Sequence, residues 1–102
     1  VKLIDINKTE TLKVDENYIY DYDKKELMYK NKSIILNKKE MHFLEFLISN
    51  QNRVVAYEEL QEHVWGDDVM TDSAIRSLVR NLRKKLPTDI VFNLSGVGYR
   101  LV

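Results

Sequence analysis

Apolar and polar residues repeat with two different periods along this chain, and the change falls near residue 37. From Leu12 to Leu36 the repeat is two: Tyr18, Tyr20 and Tyr22 alternate with Ile19 and Asp21. Leu27-Met28-Tyr29 and Ser33-Ile34-Ile35-Leu36 follow after hairpin-length gaps. The polar clusters Asp15-Glu16-Asn17, Asp23-Lys24-Lys25 and Asn31-Lys32 punctuate these runs, so the segment predicts short antiparallel strands. Residues 1–10 read either as a further edge strand or as the end of an interdomain linker, and Asn7-Lys8-Thr9-Glu10 favours neither.

From Asn37 the period becomes helical. Asn37 and Glu40 stand as N-cap and N3 of a capping box ahead of Met41, Phe43, Leu44, Leu47 and Ile48, which predicts a helix ending near Asn50. Val54-Val55 reads as a short extended link, and Tyr57 to Val64 as a second helix burying Leu60 and Val64, closed by Trp65-Gly66. After a loop over Asp67-Asp68-Val69-Met70, a third helix starts with Thr71 or Asp72 as N-cap and runs to Leu86, where Pro87 stops it. Ile90, Phe92 and Leu94 alternate with Val91 and Asn93, a turn lies around Ser95-Gly96-Val97-Gly98, and Tyr99 to Val102 returns as the second strand of a hairpin. The order of elements makes the fold class α+β.

Composition narrows the function classes. A chain of 102 residues holds one small fold, with little room for a deep substrate cavity. The absence of cysteine removes disulfide frameworks, thiolate nucleophiles, iron-sulfur clusters and cysteine zinc sites, and fits a reducing compartment, so a cytoplasmic location is expected. No apolar run approaches the roughly 18 residues that span a bilayer, and no membrane role is expected. The chain opens on Val1 instead of Met, which suits a fragment whose partner domain lies upstream.

Sixteen Lys and Arg balance sixteen Asp and Glu, so overall charge carries no argument for a polyanionic partner. The distribution does. Between Thr71 and Leu86 five cations (Arg76, Arg80, Arg83, Lys84, Lys85) oppose one anion (Asp72), a local charge of +4. Between Tyr57 and Asp68 there are five acids and no Lys or Arg. Helical spacing gathers Ile75, Leu78, Val79, Leu82 and Leu86 into one core-facing stripe and turns Arg76, Arg80 and Arg83, with Ser73, Ser77 and Lys84, the other way.

Such a helix fits the DNA major groove, where Arg pairs with guanine through two hydrogen bonds and Ser contacts several base edges. The plain competing reading is a solvated helix face. Two features favour DNA: this face uses Arg, whose planar fork suits bases and phosphates, in a chain otherwise richer in Lys, and a glycine-containing hairpin follows that can reach the adjacent groove or backbone. Base readout is therefore assigned to Ser73, Arg76, Ser77 and Arg80. Phosphate contacts are assigned to Arg83 and Lys84 on the same helix, to Tyr99 and Arg100 near the hairpin, and to Trp65. No catalytic residue, metal or cofactor is expected: His42 and His63 lack partners at metal-ligand spacing, Glu58, Glu59 and Glu62 read as the solvated side of a short helix, and Gly96-Val97-Gly98 lacks the setting of a nucleotide loop. A small hydrolase or metal enzyme is the weakest of the alternatives.

From Leu36 to Val102 the chain resembles the winged-helix effector domain of OmpR/PhoB-type response regulators. The resemblance rests on Leu36 with Glu40, on the run from Glu59-Leu60 to Val64-Trp65-Gly66, on Leu82-Arg83-Lys84-Lys85-Leu86 and on Gly96-Val97-Gly98-Tyr99-Arg100. It implies a winged helix-turn-helix with an N-terminal antiparallel sheet, three helices and a C-terminal hairpin wing, occupying residues 11–102. It also implies a transcription regulator whose third helix enters the major groove of promoter DNA while the wing touches the minor groove, without enzymatic activity. The loop Gly66, Asp67, Asp68, Val69 and Met70 would face RNA polymerase, with Trp65 anchoring it. A receiver domain acted on by a sensor kinase would lie upstream, and the protein would bind direct repeats as a head-to-tail pair.

Several positions depart from the family's usual pattern. Ser73 stands where an Arg is common, Asn93 and Ser95 replace a Thr and an Arg of the wing, Ala56 replaces a Ser N-cap, and Arg76 occupies an often acidic or small position. These imply an altered wing contact and a different target sequence. A winged-helix module that binds proteins instead of DNA is the alternative, and it would respond little to salt, whereas phosphate-driven binding weakens steeply.

Overall fold

The computed structural model describes residues 11–14 and 16–101, so the reading of residues 1–10 lies outside them. The chain divides into two compact units, Val1–Ile35 and Leu36–Val102.

The first unit is an antiparallel meander of β1 (Thr11–Lys13), β2 (Tyr18–Asp21), β3 (Glu26–Tyr29) and β4 (Lys32–Ile34), paired in sequence order. Tyr20 faces Leu27 and Tyr29 faces Lys32, which leaves two residues, Lys30 and Asn31, to make the β3–β4 turn. Their φ values of 48° and 69° are the paired left-handed conformation that a two-residue hairpin demands. Buried Asp21 accepts a hydrogen bond from the Lys24 amide (3.1 Å) and so shapes the preceding turn. β4 stops short of the predicted Leu36, and Ile35 is exposed.

In the second unit, α1 (Lys38–Ser49) begins with the capping box expected from the sequence. The Glu40 amide donates to Asn37 Oδ1 (2.8 Å), and the Asn37 amide donates to Glu40 Oε1 (2.9 Å), satisfying two otherwise orphaned donors. Its inner face buries Phe43, Leu44, Leu47 and Ile48, each side chain contributing about 1.5–3 kcal/mol by leaving water. The extended link is a two-residue strand, β5 (Val55–Ala56), paired antiparallel with β7 (Gly98–Leu101), which in turn pairs with β6 (Val91–Leu94). The approach of β5 and β7 is close enough to require glycine: a Cβ on Gly98 would lie 1.9 Å from the Val55 carbonyl oxygen.

The second helix starts as α2 (Tyr57–Leu60) and widens into a π turn over Gln61–Trp65. Ala56 has no side chain to cap it, but Glu59 Oε2 accepts the Ala56 amide (3.0 Å), so half of a capping box survives. α3 (Asp72–Lys85) is capped by Thr71, whose Oγ1 accepts the Ala74 amide (3.0 Å). Ile75, Leu78, Val79 and Leu82 form its buried stripe, joined by Leu86. The hairpin differs from expectation in its pleat: Val91 is buried and Phe92 is 40% exposed, because Ile90, although buried, precedes the paired strand and does not set its alternation. The turn is Ser95-Gly96-Val97, with Gly96 at φ 77°.

Candidate nucleic-acid interface

α3 displays two unlike faces. Opposite the buried stripe, Ser73, Arg76, Arg80, Arg83 and Lys84 are exposed and Ser77 is half-buried. Arg76 has an ion-pair neighbour, Asp72, at 3.9 Å, with both side chains largely in solvent (74% and 94% exposed). A solvated pair at that distance is worth a few tenths of a kcal/mol and leaves the guanidinium available. Among the described residues Arg80 has no ion pair and no side-chain hydrogen bond, so its five donors face water.

Arg83 is partly engaged: one Nη donates to the Val91 carbonyl of β6 (2.7 Å), tying the helix to the wing. Lys85 points elsewhere, to Glu40 Oε1 at 2.7 Å. The Glu40 side chain is 2% exposed, so this pair and the capping box it shares fasten the end of α3 to the start of α1.

Between α3 and the hairpin runs a groove of about 450 Å³, lined by Arg76, Val79, Arg80, Arg83 and Lys84 on one side and by Asn93 and Tyr99 on the other. A second recess of about 400 Å³ continues it toward the wing turn, past Asp72, Ser95, Gly96 and Tyr57. Four cations around one open channel, without a carboxylate lining the first groove, create a field that attracts an extended polyanion.

The remaining assigned residues are placed differently. Tyr99 is buried at the groove floor, its ring edge-on to Phe43 and Tyr57 at 5.7 and 5.9 Å. Burial raises its phenol pKa, with Tyr57 adding to the effect and Arg83 and Arg76 opposing it. Arg100 pairs across the hairpin with Phe92, whereas Asn93 pairs with Tyr99; adjacent pairs point to opposite faces, so Arg100 stands on the face turned from the groove. Trp65 is buried, and Lys39 Nζ sits 5.3 Å from its ring centroid. The structure thus brings Arg76, Arg80, Arg83, Lys84 and Tyr99 around one groove, leaves Ser73 and Ser77 on α3 outside its lining, and places Arg100 and Trp65 elsewhere.

In the acidic loop Gly66, Asp67, Asp68 and Val69 are exposed and Met70 is half-buried. Its shape is held by Gln61, whose Nε2 donates to the carbonyls of Asp68 (2.7 Å) and Gly66 (3.3 Å) and whose Oε1 accepts the Met70 amide (2.7 Å). Asp68 also pairs with Lys39 at 3.1 Å. A polar residue on a short helix carries no sign of its loop partners, so the sequence does not single out Gln61. In the sequence Asn93 stands out only as a departure from the family pattern, yet its amide oxygen accepts the Tyr57 hydroxyl (3.1 Å) across the groove wall.

Among the described residues no helix is long and apolar enough to cross a membrane, and no group of three or more His, Cys, Asp or Glu side chains is placed to hold a metal ion. Three helices, the third exposed along its basic face, and a hairpin beside it define a winged helix-turn-helix domain. The family described as "Transcriptional regulatory protein, C terminal" matches residues 31–101. The transcriptional regulatory protein VxrB of Vibrio cholerae is 37% identical over 89 residues, covering 86% of this chain and 36% of that protein. The DNA-binding domain of CpxR from E. coli superposes with a TM-score of 0.79 at 28% identity, covering 91% of this chain and 96% of the other. The DNA-binding domain of the response regulator AdeR, solved in complex with an intercistronic region, gives a TM-score of 0.73 at 28% identity over 85% of this chain and 94% of that one. The chain belongs to the family of transcriptional regulatory protein C-terminal domains, as a winged-helix effector domain of the OmpR/PhoB type. It spans about a third of the length of the curated relatives it matches.

Proposed function

We propose that this domain binds double-stranded promoter DNA sequence-specifically, with α3 in the major groove and the wing at the minor groove, as the output half of a two-component response regulator. The observation that carries this reading is the basic face of α3: Arg76 and Arg80 project from a helix fixed by its buried stripe, with no strong intramolecular partner to satisfy them. Ser73, Arg76, Ser77 and Arg80, on the first two and a half turns, read bases, as the N-terminal part of a recognition helix does. Lys84 and the free donors of Arg83 meet phosphate, with Tyr99 forming the groove floor and Arg100 serving the outer face of the wing. The loop Gly66 to Met70, anchored by Trp65, faces RNA polymerase. An upstream receiver domain controlled by a sensor kinase, a head-to-tail pair on DNA and a cytoplasmic location complete the proposal.

The test compares Arg80→Ala and Lys84→Ala by binding to a duplex recovered from a random-sequence pool. Loss of a base contact at Arg80 costs about 1–3 kcal/mol and relaxes preference at one position. Loss of a phosphate contact at Lys84 weakens all sequences alike and lowers the salt slope by about one. Lys84 serves better than Arg83 because Arg83 also holds Val91, and its removal disturbs the wing. Unchanged affinity in both variants rejects the assignment.

A further inference from the structure

The wing of this domain carries no cation in its turn, which is Ser95-Gly96-Val97, and its Arg100 lies on the face away from α3. Yet one exposed wing side chain, Asn93, lines both the basic groove and the recess beside the turn. Its position is fixed by β6, where it pairs with buried Tyr99, and its conformation by Tyr57, whose hydroxyl donates to Asn93 Oδ1 at 3.1 Å. Tyr57 is itself held at three points. Its amide donates to the Val97 carbonyl (3.3 Å), its ring meets Tyr99 edge-on, and it begins α2.

An amide is planar, with one acceptor prong and one donor prong. With the oxygen occupied by Tyr57, the nitrogen is the prong left over. Among the described residues it has no partner, and it borders a channel whose other wall is Arg76, Arg80, Arg83 and Lys84. A neutral donor beside four cations is suited to an anionic oxygen, and a hydrogen bond to a charged group is about twice as strong as one between neutral groups.

We propose that Asn93 is the wing's donor to the DNA backbone, its amide nitrogen bonding a phosphate oxygen alongside α3, and that Tyr57 is a positioning residue that keeps this nitrogen turned into the channel. The proposal rests on the DNA-binding reading above and adds to it a contact made by an uncharged side chain of the hairpin, opposite α3. Because Asn93 is uncharged, its contribution is to affinity without counterion release, so it leaves the salt slope unchanged. Because a phosphate carries no sequence information, the contribution is the same on every duplex to which the domain docks in register.

The experiment measures equilibrium binding of the 102-residue chain to a duplex recovered from a random pool and to a one-base variant of it, at three salt concentrations. Asn93→Ala is expected to weaken binding about tenfold on both duplexes at an unaltered salt slope. Asn93→Asp, which keeps the acceptor for Tyr57 but replaces the donor with a charge, weakens it further. Tyr57→Phe loses about threefold when Asn93 is present and nothing in the Asn93→Ala background, a coupling that simple loosening of the wing does not give. Asn93→Ala binding as tightly as the parent overturns the Asn93 contact, and equal loss from Tyr57→Phe in both backgrounds overturns the positioning role. If the parent chain binds no duplex, the DNA-binding reading itself fails, an outcome distinct from either.

Discussion

Replacing Lys85 by Met removes the cation that holds Glu40, and the structure fixes how much this costs. Glu40 is 2% exposed at its side chain, and its Oε1 receives both Lys85 Nζ (2.7 Å) and the Asn37 amide (2.9 Å). Losing one partner of a fully buried pair costs about 3–5 kcal/mol, because the remaining charge is stranded. Lys85 is 40% exposed, so water screens part of the interaction and the expected loss falls to about 2–3 kcal/mol. For a domain of this size that is a fall in Tm of roughly 10–20 °C. Urea unfolding followed by circular dichroism reads it directly. The double variant Glu40→Gln with Lys85→Met should regain more than half, since Gln still accepts the Asn37 amide and no charge is stranded. A single variant within about 0.5 kcal/mol of the parent, or a double variant as unstable as the single, would refute the reasoning.

Three further outcomes follow from the geometry. The Arg53 hydrogen bond, then the Ala56 amide, lowers the Glu59 pKa to about 2 from an ordinary 4.5, so this pair's stabilisation is complete above about pH 4.5 and is lost as pH falls toward 2. Arg53→Gln should flatten that part of the urea-midpoint profile, and identical acid profiles would contradict the assignment. Gly98→Ala forces a Cβ against the Val55 carbonyl and should destabilise by more than about 2 kcal/mol, whereas Gly96→Ala, with open space but φ 77°, should cost about 1 kcal/mol; comparable melting temperatures would speak against this distinction. Gln61→Leu releases three hydrogen bonds to the loop, so hydrogen exchange at Met70 should quicken at least tenfold with α3 unaffected, and unchanged protection would count against the clamp.

The strongly periodic and capped segments were readable in the sequence. Asn37 and Glu40 announced α1, Thr71 and the stripe from Ile75 to Leu86 announced α3, and the separation of Arg76 and Arg80 from that stripe located the candidate interface. Interactions between distant residues were not readable. The pairing of Val55 with Tyr99 joins a two-residue strand to one 44 positions away, and no local pattern marks it. The π turn over Gln61–Trp65 differs from α-helix by one residue of hydrogen-bond offset, which hydrophobic spacing does not resolve. Phe92 followed an alternation set by Ile90, but that residue lies outside the strand. Arg83 shares the outward face of Arg80 and Lys85 counts with it in the local charge, yet one serves Val91 and the other Glu40. Charge type was legible, whereas the use made of each charge depended on tertiary neighbours.

Selection of bound sequences from random duplex DNA, by the parent chain and by the variant carrying Arg76→Ala and Arg80→Ala, asks most plainly whether the exposed face of α3 reads bases. The parent should enrich a defined motif, and the double variant should lose preference at particular positions of it while still folding and retaining salt-dependent binding. Enrichment of the same motif by both proteins, or of none by the parent, would contradict base reading by these arginines.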